Sequence, residues 1–334
     1  MMITKMKLKI KYTFLLGMSV ICGSLSAQDF HVSQYNSVPV YKNAGLTGMF
    51  SDAKFRVNTL MRSQWASFTG KPFSTMFISY DQSLNNRFGA GAYLLSNSAP
   101  QGFKEQHMVM SGAYRITEPS SDHWLSVGLQ AGMIFKSLKE DYTFDNQYTN
   151  GSFNGNLPDY ENIERQSKLL PELNFGINYT MADPNKYVNP FINGSVFHIT
   201  TPNESFSGTK SPLPRRILLD GGVIFNINEY CQVVPAVSMM TQGASYEYKG
   251  ALSVRQTLQD ENRSALLFQL QYRVKDAVVA ALGWEYREFT YRIAYDFNTS
   301  ALKKYSNNRG AVELGIQFKR EAERKHRGDS NYIF

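Results

Sequence analysis

The chain has 334 residues, and its 35 basic and 28 acidic residues give a formal charge of +7. Four of those lysines lie in the first 27 residues, which hold no acid. The remainder is therefore 31 basic against 28 acidic, or +3, too small an excess to indicate a nucleic-acid partner. Only Cys231 remains beyond residue 27, so no intrachain disulfide is expected, and a lone apolar-flanked thiol reads as a small hydrophobe.

Lys5, Lys7, Lys9 and Lys11 precede an apolar run from Tyr12 to Cys22, and small residues follow to Ala27. That order is a secretory leader, expected to be cleaved after Ala27. The run is about half the ~20 residues that would anchor a helix in a bilayer. Residues 28–52 are expected to form an N-terminal segment on the periplasmic side. No later segment holds 18 consecutive apolar residues, so helical membrane spans are excluded.

From residue 53 the aromatic residues recur in short alternating runs, which is the period of a strand. Arg62 and Gln64 fall where they can point into a polar interior. Trp65 and Phe68 suit a membrane interface, and Gly70 and Pro72 suit the first turn beyond it. The pattern is cleanest in the last third. Leu266, Phe268, Leu270, Tyr272 and Val274 oppose Leu267, Gln269, Gln271 and Arg273. Val278, Ala280, Leu282, Trp284 and Tyr286 make the next apolar face. Phe289, Tyr291, Ile293, Tyr295 and Phe297 then oppose Thr290, Arg292, Ala294 and Asp296. Finally Val312, Leu314, Ile316 and Phe318 oppose Ala311, Glu313, Gly315 and Gln317.

Successive runs joined by turns as short as Arg287-Glu288 describe an antiparallel meander. Strands of soluble proteins are usually five or six residues long, whereas a tilted membrane strand needs about 9–11. The fold expected is therefore all-β, a transmembrane antiparallel β-barrel of fourteen strands over residues 53–318. Short connections at 85–87, 118–122, 182–186, 228–230 and 287–288 fall on the periplasmic side. The longer 139–167, 200–214 and 299–309 fall opposite. The two-residue link Lys275-Asp276 is short for its outer position, which leaves the count less certain between 240 and 276. Leu314→Lys should be costly on the lipid face and Glu313→Lys, one residue away, much less so.

Residues 319–334 make a basic tail, where Glu321–Lys325 and Glu323–Arg327 spacings suit a short helix. It either frays in solvent or docks an acidic periplasmic partner. The candidate lumen or partner positions are Arg62, Gln64, Arg273, Arg292, Asp296 and Glu313, with an interior charge pair holding a plug or lining a pore as the reading for Arg292 and Asp296. The histidines show no zinc-ligand spacing, and Gly89-Ala90-Gly91 lacks the third glycine and helix of a dinucleotide site. The acids of 139–167 lack an EF-hand spacing. No catalytic residue, metal or cofactor is expected, so the chain reads as a non-enzyme.

Several segments resemble the PorP/SprF family of outer-membrane proteins of the type IX secretion and gliding machinery. These are the start Gln28-Asp29-Phe30-His31-Val32-Ser33-Gln34-Tyr35 and the stretch Asn43-Ala44-Gly45-Leu46-Thr47-Gly48. The run from Met61-Arg62-Ser63-Gln64-Trp65 through Gly70 and Pro72 to Ser79-Tyr80-Asp81 is another, as are Ile293-Ala294-Tyr295-Asp296 and Val312-Glu313-Leu314. The resemblance implies an outer-membrane location among lipids and a role as accessory or anchoring component. It also implies a secreted adhesin or a periplasmic lipoprotein as partner. A porin-like channel or small-substrate transporter is the other reading the strand pattern allows.

Overall fold

The computed structural model describes residues 29–321 apart from 51–52, 66–70, 101, 140–146, 150–151, 158–162, 164, 261–263 and 302. The expected leader, Phe68, Gly70, the acids of the 139–167 loop (Asp141, Asp145, Asp159, Glu161 and Glu164) and residues 322–334 lie outside the described residues.

Fourteen strands close one antiparallel barrel: β1 (Ala53–Gln64), β2 (Phe73–Ser83), β3 (Phe88–Ser98), β4 (Lys104–Arg115), β5 (His123–Ser137), β8 (Ser167–Met181), β9 (Val188–Phe197), β10 (Arg216–Asn228), β11 (Cys231–Gln242), β12 (Ser245–Thr257), β13 (Ala265–Arg273), β14 (Ala277–Tyr286), β15 (Phe289–Asn298) and β16 (Arg309–Glu321). A two-stranded hairpin, β6 (Tyr148–Thr149) with β7 (Ser152–Phe153), stands apart from the barrel in the β5–β8 connection. Each barrel strand pairs with its sequence neighbour in the wall, and β1 closes on β16 with Arg62 opposite Glu313. Closure leaves no unpaired edge, which is what lets a sheet sit in lipid. The count holds through 240–276: β11 and β12 turn at Gly243, whose φ is +57°, and Lys275 takes φ +61° in the β13–β14 turn.

The alternation read from sequence sets the facing. Leu314 is 52% exposed, while neighbouring Glu313 is fully buried. Met108, Met110, Leu129, Leu219, Leu270, Leu282 and Ile293 are likewise exposed on the outer surface, as a lipid-facing band requires. Ala53 pairs with Glu321, so the barrel begins and ends at one mouth, called the inner mouth below.

Two expectations are corrected. The last strand runs to Glu321, not Phe318, because Lys319 and Arg320 continue the ladder opposite Arg56 and Phe55. Glu321 therefore belongs to a strand and does not open a helix. The larger correction concerns residues 29–50, expected as part of a periplasmic arm. They fill the lumen. Val32, Tyr35, Val38, Val40 and Tyr41 are buried against inward-facing Leu60, Phe77, Tyr93, Leu95 and Val109. Burying that many apolar side chains, at about 1.5–3 kcal/mol each, outweighs leaving the segment in water.

Candidate functional site

The lumenal segment descends the barrel through short helical turns at Tyr35–Ser37, Pro39–Lys42 and Ala44–Leu46. Proline suits the first turn of Pro39–Lys42, because its missing N–H has no helical partner there. At the next turn, the Asn43 side chain accepts the Gly45 N–H at 2.7 Å. The segment starts near the outer mouth and finishes beside the inner one, where β1 begins. Polar contacts fix it at four heights.

At the top, the Asp29 carboxylate receives three groups. Arg216 Nη1 lies 3.0 Å away, His198 Nε2 2.7 Å, and Gln242 Nε2 donates at 2.8 Å. The other ring nitrogen of His198 faces Glu172 Oε2 at 2.8 Å. An imidazole with a carboxylate on each nitrogen must donate from both, so the geometry fits imidazolium. Arg216 also donates to the Tyr41 hydroxyl at 2.8 Å and lies over the Phe197 ring, 4.1 Å from its centroid.

Below this, six groups from the segment and four strands converge. Glu313 accepts the backbone N–H of Ser33 at 2.6 Å and of Gln34 at 2.9 Å, and Arg62 Nη1 at 2.5 Å. Asp296 accepts the Ser33 hydroxyl at 2.7 Å, Arg62 Nη2 at 3.1 Å and Arg273 Nη2 at 3.0 Å. A buried carboxylate is tolerable only when its oxygens are saturated in this way. At mid-height Lys42 Nζ pairs with Asp220 at 2.8 Å, and Ser195 donates to the Lys42 carbonyl at 3.0 Å. At the inner mouth Asp81 accepts the Gly48 N–H at 2.9 Å while Arg56 holds it through Nη2 at 2.7 Å.

Glycines on the wall allow this approach. A methyl group at Gly89 would lie 2.0 Å from the Thr47 carbonyl oxygen, and one at Gly176 would lie 2.0 Å from Asn43 Oδ1. The Gly89-Ala90-Gly91 spacing therefore serves a backbone contact.

Of the positions singled out from sequence, Arg62, Arg273, Asp296 and Glu313 meet in one cluster on Ser33. Gln64 sits at its edge, where its Oε1 accepts from Arg62 Nε at 3.4 Å. Arg292 faces the lumen on the same strand as Asp296 but does not pair with it; Arg62 and Arg273 take that place. Trp65 follows β1 with φ +59° and packs edge-on to Phe73, ring centroids 5.3 Å apart. Pro72 is half-buried one residue before β2, and no described feature gives either residue a lumenal role. Cys231 is a free, half-buried thiol at the start of β11.

The Asp29, Glu172, His198 and Arg216 set was missed, as were Lys42–Asp220 and Arg56–Asp81. His198 has no partner by spacing, since its carboxylates come from residues 29 and 172. One signal was present. Tyr93-Leu94-Leu95 and Met108-Val109-Met110 place apolar residues on both faces of β3 and β4, which a water-filled lumen does not call for.

No curated protein matches the chain. Among solved structures, the CymD monoaromatic hydrocarbon channel aligns over 91% of this chain and 96% of its own, at 11% identity and a TM-score of 0.49. The Ralstonia pickettii toluene transporter TbuX aligns over 86% and 94%, at 8% identity and a TM-score of 0.49. The KdgM porin in complex with disordered oligogalacturonate aligns over 79% and 98%, at 8% identity and a TM-score of 0.38. The sequence profile described as type IX secretion system membrane protein PorP/SprF matches residues 24–318, from before the lumenal segment to the last strand. Over that span, which holds the closed barrel and its lumenal segment, the chain belongs to the PorP/SprF family of type IX secretion system membrane proteins.

Proposed function

We propose that this barrel is an accessory or anchoring component of the type IX machinery that works by binding a protein, a secreted adhesin or a periplasmic lipoprotein, and not by conducting solutes. The occupied lumen carries the reading: a segment of the chain itself fills the barrel over most of its height. It is held by carboxylates and bases that are almost all engaged. A pore needs a continuous aqueous path, whereas a plugged barrel presents only its mouths and loops. Leader cleavage after Ala27 and outer-membrane insertion are parts of the same proposal.

The test is affinity purification of tagged full-length chain from native membranes in mild detergent, paired with planar-bilayer recordings of the same preparation. Co-purification of one secreted or lipid-anchored protein with a silent bilayer is the expected pair of results. Barrel recovered alone with steady open-channel current would replace this reading with the porin one. Truncation after Glu321 then asks whether the basic end contributes to capture.

A further inference from the structure

The described lumenal arginines follow one rule with one exception. Arg56 is paired with Asp81, Arg62 with Glu313 and Asp296, Arg216 with Asp29, Arg255 with Glu285, and Arg273 with Asp296. Arg115 donates to the Glu118 and Ser121 carbonyls and stacks on Trp124. Arg292 has no hydrogen bond, ion pair or ring contact among the described residues, although it lies on the lumen face between outward Tyr291 and Ile293. A guanidinium withdrawn from bulk water without a counter-charge is unfavourable, so an unpaired one inside a barrel asks for a partner.

The wall around it is cleared. In the sheet register Arg292 lies opposite Gly283 on β14 and Gly315 on β16, so neither cross-strand neighbour has a side chain. A methyl at Gly283 would come within 3.1 Å of Arg292 Cγ, and one at Gly315 would meet Gln34 Oε1 of the lumenal segment at 3.6 Å. Gln34 therefore lies above the arginine, toward the Glu313 cluster. The nearest carboxylate along the β14 face, Glu285, is committed to Arg255 at 2.7 Å. Arg292 stands in the third of β15 nearer the inner mouth, and it is only partly buried.

The geometry points to an oxyanion site at Arg292, in which the guanidinium receives a carboxylate or phosphate group between Gly283 and Gly315, reached from the inner mouth. Arg is suited to the task because its planar donors match two oxygens of such a group. The site is independent of the proposed function: failure to bind an oxyanion leaves protein capture untouched, and failure to capture a protein leaves this site untouched.

The test is phenylglyoxal modification of the intact, detergent-solubilised chain, read arginine by arginine by peptide mass spectrometry. Arg292 should react several-fold faster than paired Arg56 and Arg62. Inorganic phosphate should slow it several-fold at constant ionic strength, whereas chloride should not. A short oligoglutamate peptide is the second probe. Protection by both probes supports a site open to a polypeptide carboxylate, and protection by phosphate alone supports one for a small free anion. Calorimetric titration with phosphate should give a saturable heat that Arg292→Gln abolishes while heat-modifiable migration on gels is kept. Labelling of Arg292 without protection by either probe, labelling no faster than Arg62, or an unchanged heat in Arg292→Gln overturns the site.

Discussion

Strands β2–β4 and strands β13–β16 close the same barrel but line its lumen with different chemistry. At mid-height the first group turns Phe77, Tyr93, Leu95 and Val109 inward, buried on the apolar side of the lumenal segment. The second turns Arg273, Asp296 and Glu313 inward, and these meet the segment and one another through hydrogen bonds and charge, while Gln317 donates to Asn58 on β1. Tyr41 shows the apolar side well, edge-on to Tyr93 at 5.7 Å and tilted on Phe77 at 6.0 Å. The segment is thus a two-sided insert, attracted to one wall by burial and fixed in register to the other by directional bonds. Burial is tolerant of small displacements, while a carboxylate accepting two successive backbone N–H groups is not.

The largest break in this comparison is removal of residues 29–49. It strips both walls of their partner at once and should convert a silent bilayer into one with discrete conductance steps. A deleted chain that still folds, as judged by heat-modifiable migration, and stays silent would show that wall side chains alone occlude the lumen.

Next come single changes on either wall. Tyr93→Ala should cost about 3–5 kcal/mol in urea refolding titrations, as for other large aromatic truncations in a packed core. Glu313→Lys should cost about as much, because it leaves Arg62 without its closest counter-charge and strips Ser33 and Gln34 of their acceptor. The sequence reading expected that change to be mild, on the ground that lumenal positions of a barrel are wet; Glu313 is instead fully buried against the segment. Leu314→Lys, on the lipid face, should cost about 2–4 kcal/mol near the midplane. If Glu313→Lys proves cheaper than Leu314→Lys in the same titration, the bonds to Ser33 and Gln34 are not what holds the segment.

The smallest effect sharpens the polar side. Thr290 faces the lumen but makes no hydrogen bond to the described part of the segment, so Thr290→Ala should stay within roughly 0.5 kcal/mol of the parent. A loss near that of Tyr93→Ala would extend the packed region to the inner end of β15.

How much of this was legible follows from the same contrast. Over 265–318 the two faces differ in polarity, so period two, facing and register to the lipid are visible residue by residue. Over β3 and β4 the apolar run Tyr93-Leu94-Leu95 blurs the period, because both faces are covered, one by lipid and one by protein. The strands are still found there, but the reason for their composition is not. The lumenal segment stood out in the sequence only through family resemblance at residues 28–35 and 43–48. Its partners lie far along the chain: Asp29 meets Gln242 across 213 residues, and no local spacing encodes that. Arg62, Asp296 and Glu313 were picked as inward charges by alternation alone, whereas their shared partner Ser33 was out of reach of that argument.

The bonds from Ser33 and Gln34 to Glu313 span 280 and 279 residues. Contacts of such separation require nearly the whole chain to be ordered before they reward it, and high contact order makes folding slow. Residues that precede the first strand are thus seated by the last strand of the barrel. Without β16 there is neither a closed wall nor the acceptor that seats Ser33 and Gln34, so closure of the barrel and seating of its lumenal segment are registered by one strand.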